Sequence, residues 1–581
     1  MIDSGVIVAR SPRPVRRRTS RRRKLLTRSV PVIVLAVVAF AAGARLATAP
    51  GRAERRLVTG YVTAWSHGDV GRMYGMLDAA SRARMTETAF AARLQEVADT
   101  ATARSMAVVG IDHVGDGTAS VDMVVDTRLW GTLRETLQLP LTGSGSGARV
   151  HLQSSMMFPG LRDGEALSRH TRLPTRGTLL ADDGEVLAEG RDRTSPEISD
   201  VAVQIVGTLG PVPSDEAHHY AALGFPAQTK VGLDGLERMF QHKLAGTPGG
   251  TLLAGQRVLA TAQPVKAGPV RTTIDPTLER AAVASLGGQY AGIAAMNPHT
   301  GALEALAGIA FSAPQPPGST MKIVTSTAAL QAKLVTLETA FPEASEADIG
   351  GYTLQNAGGE VCGGTLINAF AVSCNSVFAP LGVKVGAKRL VATAKRFGFD
   401  HRSPILGAAE ATIPSAKDIG GATAVGSSAI GQGEVLSTPL EQADVGATIA
   451  MGGRRPVPTL LAHARPHFVH VTTRKVAREV QQMMVAVVQY GTGVPAQIPG
   501  VEVAGKTGTA ELTDTGTSAA DGDTNNPNAN NPRNTDAWFV GYAPVGHPKV
   551  VVAALFPNAG AGAATAAPPV RDTIEAALQE K

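Results

Sequence analysis

The chain has 581 residues, of which 44% are hydrophobic, 18% charged and only 4% aromatic. That length is too great for one domain, and that composition belongs to a globular protein with aliphatic cores rather than a disordered chain. The net charge of +6 sits at one end: residues 1–28 hold ten Lys/Arg against Asp3, so the tail is +9 and the rest is −3, without the positive excess that tracking a nucleic acid requires.

Directly after this basic tail, Val30–Ala44 runs without a charge and ends at Arg45. Lys and Arg are retained on the cytoplasmic side, so residues 1–28 stay inside, residues 29–46 are expected to anchor the chain, and the body lies outside. The run is short against the roughly 17–25 residues of a spanning helix. Leu25 and Leu26 lengthen it if Arg28 reaches back to the interface. Ala47-Thr48-Ala49 also fits a signal-peptidase site, so a cleaved leader is the rival. Both export the body; the expected location is the cell membrane, single-pass, with the body extracytoplasmic.

Residues 53–155 read as a small α+β unit. Leu57, Tyr61 and Trp65 recur at helical spacing, and Ala119, Val121, Met123 and Val125 alternate after the turn Gly115-Asp116-Gly117. Leu137 and Leu139 alternate again, and a helix followed by curved antiparallel strands suggests a cone. Gly143–Gly147 is a turn or linker. Residues 156–285 are punctuated by Gly160, Pro174, Gly177, Gly184 and Gly190 and read as a strand-poor, extended pedestal.

From 289 to 581 the pattern changes. Ile293–Met296 and Leu303–Leu306 flank the turn Asn297-Pro298-His299-Thr300-Gly301, Ala-rich helical sequence follows, and Trp538–Tyr542 and Val550–Phe556 return to strand character. Hairpin, helices, then strands predict an antiparallel sheet closed by its terminal strands and covered by helices. Residues 512–534 are nearly devoid of apolar side chains, cannot offset their ordering entropy, and are expected to form a mobile loop.

Three short motifs in this last region carry chemistry. In Pro317-Gly318-Ser319-Thr320-Met321-Lys322, Lys322 is the only lysine three residues after a serine. Ser319 needs a neighbouring base to become a nucleophile, and i, i+3 spacing puts the Lys322 amine on the same helical face. Lys322 can be that base only if burial or another cation lowers its pKa; Lys506 is the natural candidate for that cation. Ser373-Cys374-Asn375 is the only S-x-N: a second hydroxyl can relay a proton, and the Asn375 amide can donate to and accept from a peptide, although in isolation such a triplet is more often a helix cap. Gly505-Lys506-Thr507-Gly508-Thr509 holds the only K-[ST]-G and follows the apolar run Val501–Ala504. An edge strand there offers backbone donors to an extended peptide, with Lys506 and Thr507 for a carboxylate and Gly508 for close approach of a ligand.

Only two cysteines occur, which excludes a four-cysteine zinc ribbon. Cys362 and Cys374 either bridge, as exported cysteines do, or pack as two free thiols. His463, His467 and His470 lack a matching acid cluster and read as ordinary surface or core residues.

With these motifs in this order, the chain resembles the penicillin-binding proteins, for which S-x-x-K, S-D-N and K-T-G are the signature. Here the middle residue of the second motif is Cys374. Arg176-Gly177-Thr178-Leu179, Gly232–Glu237 and Thr273-Ile274-Asp275-Pro276 resemble the pedestal of class B members, Gly431-Gln432-Gly433 and Trp538–Tyr542 resemble transpeptidase core segments, and residues 53–155 resemble the NTF2-like domain of the methicillin-resistance subgroup and its actinobacterial relatives. The resemblance implies a serine D,D-transpeptidase that cross-links peptidoglycan stem peptides ending in D-Ala-D-Ala, is acylated by β-lactams, and uses no metal and no organic cofactor. In it Ser319 is the nucleophile, Lys322 the base and Ser373 a proton shuttle. Asn375 orients the substrate amide, Lys506 and Thr507 hold the terminal carboxylate, Gly508 lets the substrate approach the backbone, and the N–H groups of Ser319 and Thr509 form the oxyanion hole. A SEDS-family membrane glycan polymerase is the partner it suggests. The rivals are a β-lactamase-like hydrolase, for which no E-x-x-L-N pattern follows Ser373, and a non-catalytic β-lactam sensor or cell-wall scaffold that retains the motifs.

Overall fold

The computed structural model describes residues 51–512 and 534–579. The expected tail, anchor and most of the 512–534 loop lie outside the described residues. Among those described, no helix is long and apolar enough to cross a membrane. The chain divides into two compact units. Among the described residues, one gathers those up to Pro174 with Val212–Thr229 and Thr247–Val265; the other gathers Thr175–Pro211, Lys230–Gly246 and those from Lys266 onward.

In the first unit, helix α1 (Arg52–Ser66) buries Val58, Tyr61, Val62 and Ala64, so the apolar stripe centres one residue away from the expected Leu57–Tyr61–Trp65 line. Helix α2 (Glu87–Ala101) starts where the Thr86 hydroxyl accepts from Ala89 N. An antiparallel sheet follows in the order β1 (Ala103–Gly115), β2 (Thr118–Thr127), β3 (Thr132–Thr142), β4 (Arg149–Val150). Asp116 and Gly117 both take positive φ in the two-residue β1–β2 loop, whose twist matches that of the strands. The expected alternation holds: Ala119, Val121 and Val125 are buried opposite Leu139, Leu137 and Leu133. Three irregularities in the β1–β2 register bend this sheet. Gly143–Gly147 joins β3 to β4 inside the unit and is not a domain linker.

Residues 156–285 are not strand-poor, and they are shared between the two units. Gly249–Ala254 pairs with both Arg257–Ala262 and Leu167–Arg172 in the first unit. In the second unit two of the segments flagged by resemblance meet: Arg176 Nε donates to the buried Glu237 carboxylate at 2.6 Å, and Arg193 Nε, outside those segments, donates to it at 2.5 Å.

The second unit begins its main body with α3 (Pro276–Ser285), whose cap Asp275 accepts from Thr277 N and Leu278 N. Its sheet runs β6-β5-β9-β8-β7, with β5 (Gly292–Met296), β6 (Leu303–Gly308), β7 (Ala504–Glu511), β8 (Thr535–Ala543) and β9 (Val550–Phe556), every pairing antiparallel. Side chains of β9 alternate between two cores: Val551 and Ala553 face one, Val550, Val552, Ala554 and Phe556 the other. Burial on both faces is why this strand reads as one continuous apolar run. Helices α4 (Lys322–Gln331), α5 (Leu366–Ala371), α6 (Asn375–Val385), α7 (Pro439–Ala450) and α8 (Arg474–Gln489) build the first core, and α3 and α9 (Ala567–Gln579) the second. The β6 edge is covered: Glu279 of α3 accepts from Leu306 N at 2.7 Å. At the other edge, β7 has one strand neighbour among the described residues.

Candidate active site

The third motif lies within β7 itself, not after a strand at Val501–Ala504. The first motif is pressed against it. A 3₁₀ turn, Gly318–Met321, runs directly into α4, and residues three apart eclipse in such a turn, so Ser319 and Lys322 share one face. Two glycines allow the contact. Gly318 has φ +52°, and a Cβ on it would lie 2.6 Å from Thr509 O; a Cβ on Gly508 would lie 2.7 Å from Pro317 O. Gly508 therefore yields space to the Pro317–Thr320 turn of its own chain.

The second motif caps α5. Ser373 N donates to Phe370 O and Cys374 N to Ala369 O, the paired bonds of a Schellman cap, which places Ser373 in the left-handed region at φ +61°. Glycine is the usual residue there, and a serine costs about 1 kcal/mol. The hydroxyl sits between two lysines: Lys506 Nζ donates to Ser373 Oγ at 2.8 Å, and Lys322 Nζ lies 3.3 Å from the same oxygen. Lys322 Nζ donates further to Ser373 O and Asn375 Oδ1, both at 2.7 Å. Among the described residues Ser319 Oγ makes no hydrogen bond, so the expected direct Lys322–Ser319 contact is not formed; Lys322 is held on Ser373 and Asn375. Asn375 is engaged at both ends, its Nδ2 donating to Gln355 O at 3.3 Å.

Both lysines are fully buried, over an edge-to-face aromatic pair: Lys322 Nζ stands 5.6 Å from the Phe378 ring centre and Lys506 Nζ 5.4 Å from that of Phe370. Burial first, and the Lys506 charge second, hold the Lys322 amine well below the ordinary lysine range, as a base requires. Burial brings Lys506 down to about 7, so its charge is not fixed; a bound carboxylate would restore it. Lys506 Nζ also donates to Thr507 O at 2.9 Å and, more weakly, to Thr507 Oγ1 at 3.4 Å.

Cys362 and Cys374 form a disulfide, with Cα atoms 5.8 Å apart, tying the strand Cys362–Thr365 to the S-C-N segment. Beside it, the Asn356 amide donates to Ala344 O and Glu360 O and its oxygen accepts from Ser376 N. Two further residues complete the site: Gln432, whose segment Gly431-Gln432-Gly433 stands out by resemblance, and Thr492, which carries no warning in the sequence beyond its glycine neighbours. Gln432 pairs its side-chain amide with the backbone of Glu511, accepting from N at 3.0 Å and donating to O at 3.3 Å, and so closes the far end of the β7 edge. Thr492 lies with its hydroxyl 2.6 Å from that of Thr507. Among the described residues no group of three or more His, Cys, Asp or Glu could hold a metal.

Residues 291–575 match the penicillin binding protein transpeptidase domain, and residues 53–165 the NTF2-like N-terminal transpeptidase domain. The peptidoglycan D,D-transpeptidase PbpA of Mycolicibacterium smegmatis is 38% identical over 298 residues, 47% of this chain and 56% of that protein. Its Mycobacterium tuberculosis counterpart is 36% identical over 46% of this chain and 56% of its own length. The matched region thus spans little more than half of these relatives. Among solved structures, penicillin-binding protein A from M. tuberculosis, as its penicillin G acyl-enzyme, superposes with a TM-score of 0.55 at 27% identity, covering 70% of this chain and all of that one. The D,D-transpeptidase domain of an Eggerthella lenta peptidoglycan glycosyltransferase reaches 0.56 at 28% identity, over 70% of this chain and 99% of that one. Two domain matches, the fold and the order of the three motifs agree: the chain belongs to the penicillin-binding proteins, in the form that carries an NTF2-like N-terminal domain.

Proposed function

We propose that the chain is a serine D,D-transpeptidase that cross-links peptidoglycan stem peptides. The observation that carries this reading is the convergence of Lys322 and Lys506 on Ser373 Oγ beside the Ser319 turn. In this mechanism the neutral Lys322 amine takes the Ser319 proton as Oγ attacks the penultimate D-Ala carbonyl. The N–H groups of Ser319 and Thr509 receive the developing oxyanion. The proton passes through Ser373 to the departing D-alanine nitrogen, and the C–N bond breaks to leave an ester on Ser319. An amine from a neighbouring peptide then attacks the ester, gives up a proton by the reverse route and releases Ser319. Lys506 and Thr507 hold the terminal carboxylate, and Asn375, which fixes the Lys322 amine, also faces the substrate amide. A β-lactam enters by the same first step and remains on Ser319.

The basic tail and apolar segment support a single-pass membrane protein with this site outside the cytoplasm, working on glycan strands made by a SEDS-family polymerase. The test uses a stem peptide ending in D-Ala-D-Ala with an added amine acceptor. Release of one D-alanine with a matching amount of peptide–amine product is expected. No D-alanine release would leave a sensor or scaffold, and release without amine product would make the chain a hydrolase.

A further inference from the structure

We infer that Thr492 is a positioning residue for carboxylate recognition: it sets the Thr507 hydroxyl as a donor toward the ligand. The inference rests on the transpeptidase reading above and extends it to a residue outside the three motifs. Thr492 follows α8 in Gly491-Thr492-Gly493 and touches both walls of the site. Its N–H donates to Ala371 O, the last residue of α5, at 3.0 Å, and its Oγ1 lies 2.6 Å from Thr507 Oγ1 on β7.

One proton lies between the two hydroxyls, and the alternatives differ in what they offer the cleft. If Thr507 donates to Thr492, then Thr492 donates to its own remaining acceptor, Ala371 O, at a poor 3.4 Å, and Thr507 presents lone pairs to the ligand. If Thr492 donates to Thr507, the proton of Thr507 is free to point into the cleft. A carboxylate only accepts, so it selects the second arrangement. The Lys506 ammonium, 3.4 Å from Thr507 Oγ1, favours it too, because it also donates to that oxygen. The hydroxyl that then binds the anion is itself held by a donor behind it, and such chains strengthen cooperatively.

The experiment compares penicillin G with its methyl ester, which lacks the anion but keeps the lactam, in acylation of wild type, Thr492→Ala and Thr492→Ser. Wild type should prefer the free acid. Thr492→Ala should lower that preference about tenfold through weaker pre-covalent binding with the acylation step itself little changed, and Thr492→Ser should restore it. The ratio of the two ligands does not depend on how much of a variant is folded. A Thr492→Ala ratio equal to wild type, with both ligands slowed alike or neither, would overturn the assignment and leave Thr492 a packing residue. Wild type inert to both ligands would instead remove the transpeptidase reading on which it rests.

Discussion

Lys322 and Lys506 approach the same atom, their amines 3.3 and 2.8 Å from Ser373 Oγ. Two buried ammonium groups sharing one hydroxyl repel, so the site favours one proton between them, and each lysine has a different need for it. Lys322 must be neutral to act as base, so acylation should fall as pH drops through its lowered pKa. Lys506 must be charged to hold a carboxylate, so acylation should fall again as pH rises through a value at or above about 7. Lys506→Met removes the neighbouring charge and should move the acidic limb to higher pH, alongside the loss of carboxylate binding. The pH profile of penicillin G acylation checks this; an acidic limb that stays in place would show that the two lysines are not coupled.

The left-handed Ser373 separates stability from function. Ser373→Gly removes the strain, whereas Ser373→Ala keeps it, so the glycine variant should unfold about 1 kcal/mol later in denaturant than the alanine variant. Both should lose at least a hundredfold in acylation, because both lose the hydroxyl between the lysines. Equal stability of the two variants would contradict the strain.

The Cys362–Cys374 bridge closes a loop of twelve intervening steps in the chain. The chain-entropy estimate for such a loop is about 3 kcal/mol. Mass spectrometry of the protein alkylated without reductant should find neither thiol modified, and Cys362→Ala should lower the denaturation midpoint correspondingly. Two alkylated thiols in the native protein would rule the bridge out.

Glu279 is buried, with one oxygen on Leu306 N and the other unpartnered, and burial raises its carboxyl to about 7. Below its ordinary pKa near 4.5 the group is neutral in both folded and unfolded chains, and its contribution is fully present. Between about 4.5 and 7 only the unfolded chain ionises, so stability declines as pH rises, by about 3 kcal/mol in all. Glu279→Gln keeps an acceptor for Leu306 N and should lack this decline. Denaturant melts at pH 5 and 7.5 compare the two; parallel losses in both proteins would sink the assignment.

The most legible parts of the sequence were those set by burial. The run Val550–Phe556 coincides with β9 because two cores flank it, and the Asp116–Gly117 turn shows itself through residues that tolerate positive φ. Legibility fails where chemistry or exposure replaces packing. β7 bears Lys506, Thr507 and Thr509 at a sheet edge, so it carries no apolar alternation and the apolar run just before it draws attention instead. The hairpin of Gly249–Ala254 and Arg257–Ala262 is obscured because its second strand is nowhere fully buried. In the site, the motifs name the residues proposed to act but not what holds them: Gln432 is marked only by the resemblance of its segment and Thr492 not at all, because their partners are a backbone amide, carbonyls and one hydroxyl on other elements, which no local pattern encodes.

The central claim is that Ser319 is the nucleophile of this constellation, and fluorescent-penicillin labelling of the wild-type protein beside Ser319→Ala tests it most directly. The wild type should carry one covalent label per chain, mapped by peptide mass spectrometry to Ser319, and Ser319→Ala should carry none while keeping the wild-type melting transition. Undiminished labelling of folded Ser319→Ala, or a label mapped to another residue, would contradict the account.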